Sequence, residues 1–228
     1  MSGARKDGPP SDADDGPFVE PGEVEPKLLL FAPARPAGVS PELEAALATG
    51  AVAALVVDAK ALPAEERAAA LSACGAACRR HGAALLLRND PAAARSAGAD
   101  GVHLDDAAKV AAARALLGAQ RLVGAGCGRS RHAAMVAGEA GADYVMFGAL
   151  DRSPAADDEL ADLVTWWTEL FVLPCAAAGR HTPELALALA QGGADFVAVA
   201  EEALLSPGNG AAELARALQE AAAARTRG

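Results

Sequence analysis

The stretch AALLLRNDPAAARSAGADGVHLDD, residues 83–106, decides the fold. It opens with an apolar run that shows no polar alternation, passes through Asn89 and Asp90, and continues from Pro91 as an alanine-rich segment that stops at Gly98. A second apolar run, Gly101 to Leu104, follows at once. Short unbroken apolar runs mark strands buried on both faces. Pro suits the first helical turn, where its missing N–H costs nothing, and Gly suits the left-handed cap after the last turn. The stretch therefore reads as strand, helix, strand, with the two strands parallel.

The same unit recurs in both directions. On the N-terminal side lie LLLFAPA (28–34) with the helix SPELEAALATG, capped by Ser40 with Pro41 in the first turn, and AALVVDA (53–59) with PAEERAAALSACGAACRRHG. On the C-terminal side come AAKVAAARALLG, then RLVGAG with SRHAAMVAGEAG, YVMFGAL with DELADLVTWWTELF, VLPCAAAG with TPELALALAQGG, and FVAVA with a last helix inside NGAAELARALQEAAAAR. Glycines 82, 98, 118, 141 and 193 stand where left-handed helix caps are expected. A Gly-Ala-Asp phrase, at 98–100, 141–143 and 193–195, precedes three of the strands as a weak internal repeat.

Eight units predict an α/β chain folded as a (β/α)8 TIM barrel, one domain over residues 27–228. An open doubly wound sheet would bring a glycine-rich fingerprint after its first strand. Ala32-Pro33-Ala34-Arg35-Pro36 carries none. Residues 1–26 are rich in Pro, Gly and acidic side chains, and are expected to form a disordered tail.

A net charge of −10 argues against nucleic-acid or anionic-membrane partners, which clustered Lys and Arg attract. No signal-peptide run or membrane-length apolar stretch occurs, so a cytoplasmic protein is expected. The four cysteines form no CxxC pair and read as buried, reduced thiols. A homodimer is the default assembly.

In such a barrel, reactive groups project from the C-terminal strand ends. The candidates are Asp58 and Lys60, Asn89 and Asp90, His103, Asp105 and Asp106, Arg129, Asp151, Arg152 and Ser153, Arg180 and His181, and Glu201 and Glu202. Each has a plainer reading. Asn89-Asp90-Pro91 is locally favoured as a helix cap, and Asp105-Asp106 can begin the next helix. His103 inside an apolar strand reads foremost as a hydrogen-bonded core histidine, Lys60 equally as a solvated loop lysine, and His132 as a helix-surface residue. Taken together, neighbouring carboxylates suit Mg²⁺ and loop amides after the last two strands suit a phosphate, while Glu201 and Glu202 would repel one.

The phrases Gly98-Ala99-Asp100-Gly101-Val102-His103-Leu104 and Gly141-Ala142-Asp143-Tyr144-Val145-Met146-Phe147-Gly148 resemble the thiamine phosphate synthase and thiazole tautomerase family. With Asn89-Asp90 and Gly193-Ala194-Asp195-Phe196-Val197-Ala198-Val199, the resemblance covers about residues 28–205. It implies a (β/α)8 barrel of thiamine biosynthesis that joins an aminopyrimidine methyl pyrophosphate to a thiazole phosphate with Mg²⁺ and releases pyrophosphate. Residue by residue, it implies catalytic roles for Lys60, Asn89 and Arg152, phosphate contacts at Ser153, Gly179 and Arg180, and metal ligation by Asp90, with Asp105 or Asp106 standing in for a second metal carboxylate.

The chain also departs from the family pattern. Val56 and Asp58 occupy its Gln and Arg positions, Asp105-Asp106-Ala107-Ala108 follows His103-Leu104, and Gly126-Cys127-Gly128-Arg129-Ser130 carries one extra residue. No Lys follows Lys109, which leaves Arg152 to replace the family's loop lysine, and Glu201 stands where a Ser is usual. Arg129 aligns with the histidine of the tautomerase branch, so that activity gains no support. Because the departures gather on phosphate handling, they imply a divergent paralogue with altered or absent synthase activity, and enzymatic turnover stays open. The other expectations are a non-catalytic barrel for a small ligand or protein partner, or an enzyme for a less anionic substrate in the same cleft.

Overall fold

The computed structural model describes residues 25–151, 158–206, 208 and 210–225. The expected tail lies outside them up to residue 24, as do Arg152 and Ser153. Strands β1 (Lys27–Pro33), β2 (Val52–Asp58), β3 (Ala84–Arg88), β4 (Gly101–Leu104), β5 (Leu122–Gly128), β6 (Tyr144–Gly148), β7 (Cys175–Ala178) and β8 (Phe196–Ala200) pair in sequence order as a closed, parallel barrel. Helices α1 (Pro41–Ala48), α2 (Ala64–His81), α3 (Pro91–Ala97), α4 (Val110–Leu117), α5 (Arg131–Glu139), α6 (Asp158–Leu170), α7 (Pro183–Gln191) and α8 (Ala211–Arg225) surround it. The (β/α)8 reading of the sequence is the fold.

The local signals act as chemistry requires. Ser40, Ser130 and Thr182 accept the Leu43, Ala133 and Leu185 N–H groups at the heads of α1, α5 and α7. Gly82 and Gly98 leave α2 and α3 in the left-handed region, at φ 70° and 67°. Gly118 has positive φ with extended ψ, whereas Gly141 and Gly193 sit one residue beyond their helix caps.

Strand residues alternate between two apolar layers. Leu28, Leu30, Leu55, Val57, Leu85 and Leu87 pack beneath the helices, while Leu29, Phe31, Val56, Leu86, Tyr144 and Met146 fill the interior. Small residues make room for the large ones. A Cβ at Gly124 would lie 2.1 Å from the Tyr144 ring, so β5 yields its volume to β6. Tyr144 is thereby laid beside His103, with its Oη 2.9 Å from Nδ1. Phe31 meets the same imidazole edge-on at 5.0 Å. His103 is fully buried, as expected of a core histidine, and burial holds its pKa down to about 4 despite the nearby Asp105.

The Gly-Ala-Asp repeat has a structural cause. At the opposite end from the strand tips, Asp100, Asp143 and Asp195 accept the Leu85, Val123 and Cys175 backbone N–H groups through their carboxylates, at 2.7, 2.6 and 2.9 Å. Their own N–H groups donate to the carbonyls of the same three residues. Each Asp thus completes the first rung between neighbouring strands. Arg114 adds a charge-assisted contact to Asp143 at 2.6 Å.

We expect Asp143→Ala to lower stability by about 1–3 kcal/mol in urea titration, because it leaves a buried strand N–H without its acceptor; an unchanged midpoint would contradict the assignment. For His103, a folded pKa below the ordinary 6.5 means that the unfolded chain binds the extra proton first. Its contribution is therefore intact above pH 6.5 and is lost as pH falls toward 4, by at most about 1.4 kcal/mol per pH unit. His103→Gln should flatten the fall in stability between pH 6.5 and 4, measured by urea titration across that range.

Candidate functional site

The C-terminal strand ends enclose a cavity of about 990 Å³. Its floor is apolar, from Phe31, Val56 and Met146, and its rim carries Asp58, Lys60, Arg88, Asp105, Asp151, Arg180 and Glu202. Sequence reasoning anticipated most of these residues. Lys60 and Arg180 are exposed at the rim, on the β2 and β7 sides. Asp58 also holds the loop, since its Oδ1 accepts the Lys60 N–H at 3.0 Å.

Arg88 was missed. Ala84, Leu86 and Arg88 share a face of β3, because alternate strand residues point the same way, and two-residue counting from the apolar floor would have found it. Its Nε donates to both oxygens of Asp105, at 3.0 and 3.1 Å, and its guanidinium lies 5.9 Å from the Phe31 ring centre.

Asn89 and Asp90, read as a pair, do different things. Asp90 Oδ1 caps α3 by accepting the Ala93 N–H at 2.9 Å, as the local sequence favoured. Asn89 has φ 56° and is the one non-glycine residue with positive φ among the described residues. Asn tolerates this geometry better than most residues because its short amide bonds locally. Here the amide brackets Asp105: Nδ2 donates to Oδ2 at 2.7 Å, and Oδ1 accepts the Asp105 N–H at 2.8 Å. Desolvation would raise the Asp105 pKa, but the hydrogen bonds from Arg88 and Asn89 and the Arg88 charge hold it below the usual value.

Of the carboxylates expected to hold Mg²⁺, only Asp105 lines the cavity. Asp106 caps a 3-10 turn at Ala107–Lys109 through the Ala108 N–H. Asp90 is occupied at the head of α3, and both Asp105 oxygens already face Arg88 or Asn89. Among the described residues no group of three His, Cys, Asp or Glu side chains is placed to hold a metal. These residues do not fit a carboxylate cage for Mg²⁺: the positive charge beside Asp105 is a guanidinium.

The last two strands separate their candidates in the same manner. Glu202 lines the cavity, whereas Glu201 is buried on the other side. Ser40 Oγ donates to Glu201 Oε1 at 2.5 Å, and Arg35 Nη2 lies 2.7 Å from Oε2. Glu201 is therefore a tie to the first loop and not the phosphate-facing carboxylate that its position suggested. Gly179 donates its N–H to Ala198 O and leaves space for the buried His181 ring, 2.9 Å from where a Cβ would stand. Arg129 pairs with Glu159 at the head of α6. All four cysteines are free and buried, and burial pushes the Cys78, Cys127 and Cys175 thiols up to about 12, which leaves them poor nucleophiles.

No helix among the described residues is long and apolar enough to cross a membrane. The solved structure of a thiamine phosphate pyrophosphorylase from Pyrococcus furiosus superposes with a TM-score of 0.69 at 22% identity, covering 87% of this chain and 98% of that one. A geranylgeranylglyceryl phosphate synthase from Thermoplasma acidophilum shares the fold at a TM-score of 0.58 and 18% identity, with 86% and 94% covered. In sequence, the chain is 40% identical over 182 residues to a thiamine-phosphate synthase of Rhodospirillum centenum, spanning 76% of this chain and 86% of the relative. It is 39% identical over 186 residues to that of Erythrobacter litoralis, spanning 78% and 87%. The family model for thiamine monophosphate synthase matches residues 35–203. With the barrel, the cavity at its strand ends and this match over most of its length, the chain belongs to the thiamine monophosphate synthase family.

Proposed function

We propose that the barrel mouth carries out the condensation for which the family is named, joining an aminopyrimidine methyl pyrophosphate to a thiazole phosphate. The observation that carries this reading is the near-40% identity to two thiamine-phosphate synthases over three-quarters of the chain. The cavity adds support, since it has room for two small substrates and places Lys60 and Arg88 on the β2–β3 side opposite Arg180 on the β7 side. The thiazole nitrogen attacks the pyrimidine methylene carbon, the carbon–oxygen bond breaks, and its electron pair leaves with pyrophosphate. No proton transfer is needed. What the chain supplies is position and charge: an apolar floor beneath the reacting rings, Lys60 and Arg88 toward the departing pyrophosphate, and Arg180 toward the thiazole phosphate. No step is assigned to a metal, because the carboxylates expected to ligate it are engaged elsewhere.

One observation favours a second reading. Asp58, Asp105, Asp151 and Glu202 face Lys60, Arg88 and Arg180, so the described rim carries more negative charge than positive. A barrel charged in this way suits a less anionic ligand than a pair of phosphorylated substrates.

Incubating the full chain with both substrates should yield thiamine phosphate with multiple turnovers, and Lys60→Met should lower kcat/KM by about tenfold or more. Absence of product at enzyme concentrations equal to substrate would remove the condensation. Native mass spectrometry of the purified protein, revealing a retained neutral or singly charged small molecule, would then establish the second reading.

A further inference from the structure

We propose that Arg88 receives the anionic group of a phosphorylated ligand, and that Asp105 is its movable counter-ion, turning one carboxylate oxygen from Arg88 to the buried His103 when the ligand arrives. This rests on the reading that the mouth takes a phosphorylated ligand. It adds a residue and a motion that family membership does not supply.

Arg88 is built to receive an anion. Its Nε is engaged by Asp105, and its two terminal nitrogens have no hydrogen-bonding partner among the described residues. A guanidinium presents its donors as a planar fork that matches two phosphate oxygens at once. The side chain lines the cavity and lies near the Phe31 ring, which limits its freedom.

The obstacle is Asp105, whose charge would repel the same ligand. The structure holds a second place for it. His103 Nε2 is fully buried without a hydrogen-bonding partner, and stands 3.9 Å from Asp105 Oδ1. On the other side of the ring, Nδ1 meets the Tyr144 hydroxyl at 2.9 Å. When that hydroxyl donates to Nδ1, the neutral imidazole carries its proton on Nε2, as a donor next to the carboxylate. Asp105 Oδ2 is anchored to Asn89 Nδ2 at 2.7 Å. Rotation about that anchor carries Oδ1 roughly 1 Å, from the guanidinium into hydrogen-bonding range of His103. The move satisfies a buried donor, leaves Arg88 Nε held by Oδ2 alone at 3.1 Å, and turns Oδ1 away from the incoming phosphate.

Inorganic pyrophosphate is the probe, added to the full chain with EDTA present and followed by calorimetry and by imidazole ¹⁵N spectra, with His103→Gln assigning the His103 resonances. We expect saturable binding without a divalent cation, weakened about tenfold or more in Arg88→Met. Arg88→Lys should fall between, because it keeps the charge and loses the fork. Asp105→Asn should bind at least as tightly as the unaltered chain. Pyrophosphate should shift the His103 Nε2 resonance in the unaltered chain and leave it in place in Asp105→Asn. The proposal is overturned by any of three results: no binding without Mg²⁺, equal binding by a folded Arg88→Met, or a His103 resonance that stays put on saturation. If turnover is absent while Arg88-dependent binding persists, the condensation falls and this inference stands; turnover that is unimpaired in Arg88→Met gives the reverse.

Discussion

Pairing of β1 with β8 is the constraint on which everything else depends. Lys27 to Phe31 run parallel to Phe196 to Ala200, and this ladder turns eight successive units into a ring. Without it both outer strands would offer bare N–H and C=O groups, an edge that soluble proteins must cover. With it, every strand ends at the same mouth. Lys60 and Arg180, far apart in sequence, come to border one cavity with Arg88 and Asp105.

Much of this architecture was legible. Runs such as LLLF and ALLL, apolar at consecutive positions, identify strands covered on both sides, and the Ser-Pro and Thr-Pro openings of α1 and α7 mark helix heads. The Gly-Ala-Asp repeat was visible, but its meaning was not, because each Asp serves the N–H of a strand lying 15 to 20 residues earlier in the chain. Pairings of that kind exist only after the sheet is assembled.

The site was read less completely, and the reason is orientation. Glu201 and Glu202 are adjacent in sequence, yet one is buried against the first loop and the other lines the mouth. Asn89 and Asp90 part in the same way, through a backbone turn at positive φ that no local pattern announces. Arg88 closes a strand whose alternation is masked by leucines on both faces, so its inward direction emerges only from counting with the barrel in hand. The described rim that results carries one more acidic side chain than basic, although the whole chain carries −10. The net charge of the whole chain therefore says little about what enters the mouth.

The tie among Arg35, Ser40 and Glu201 joins residues 161 positions apart in the case of Ser40 and Glu201. During synthesis the guanidinium of the first loop has no carboxylate to meet until the eighth strand has left the ribosome, and the first strand likewise waits for its second neighbour. Completion of the ring is thus postponed until all eight units have been made. Until that moment the growing chain must keep an open-edged, incomplete sheet from associating with other chains, which makes the late-emerging eighth unit the one that ends its exposure to aggregation.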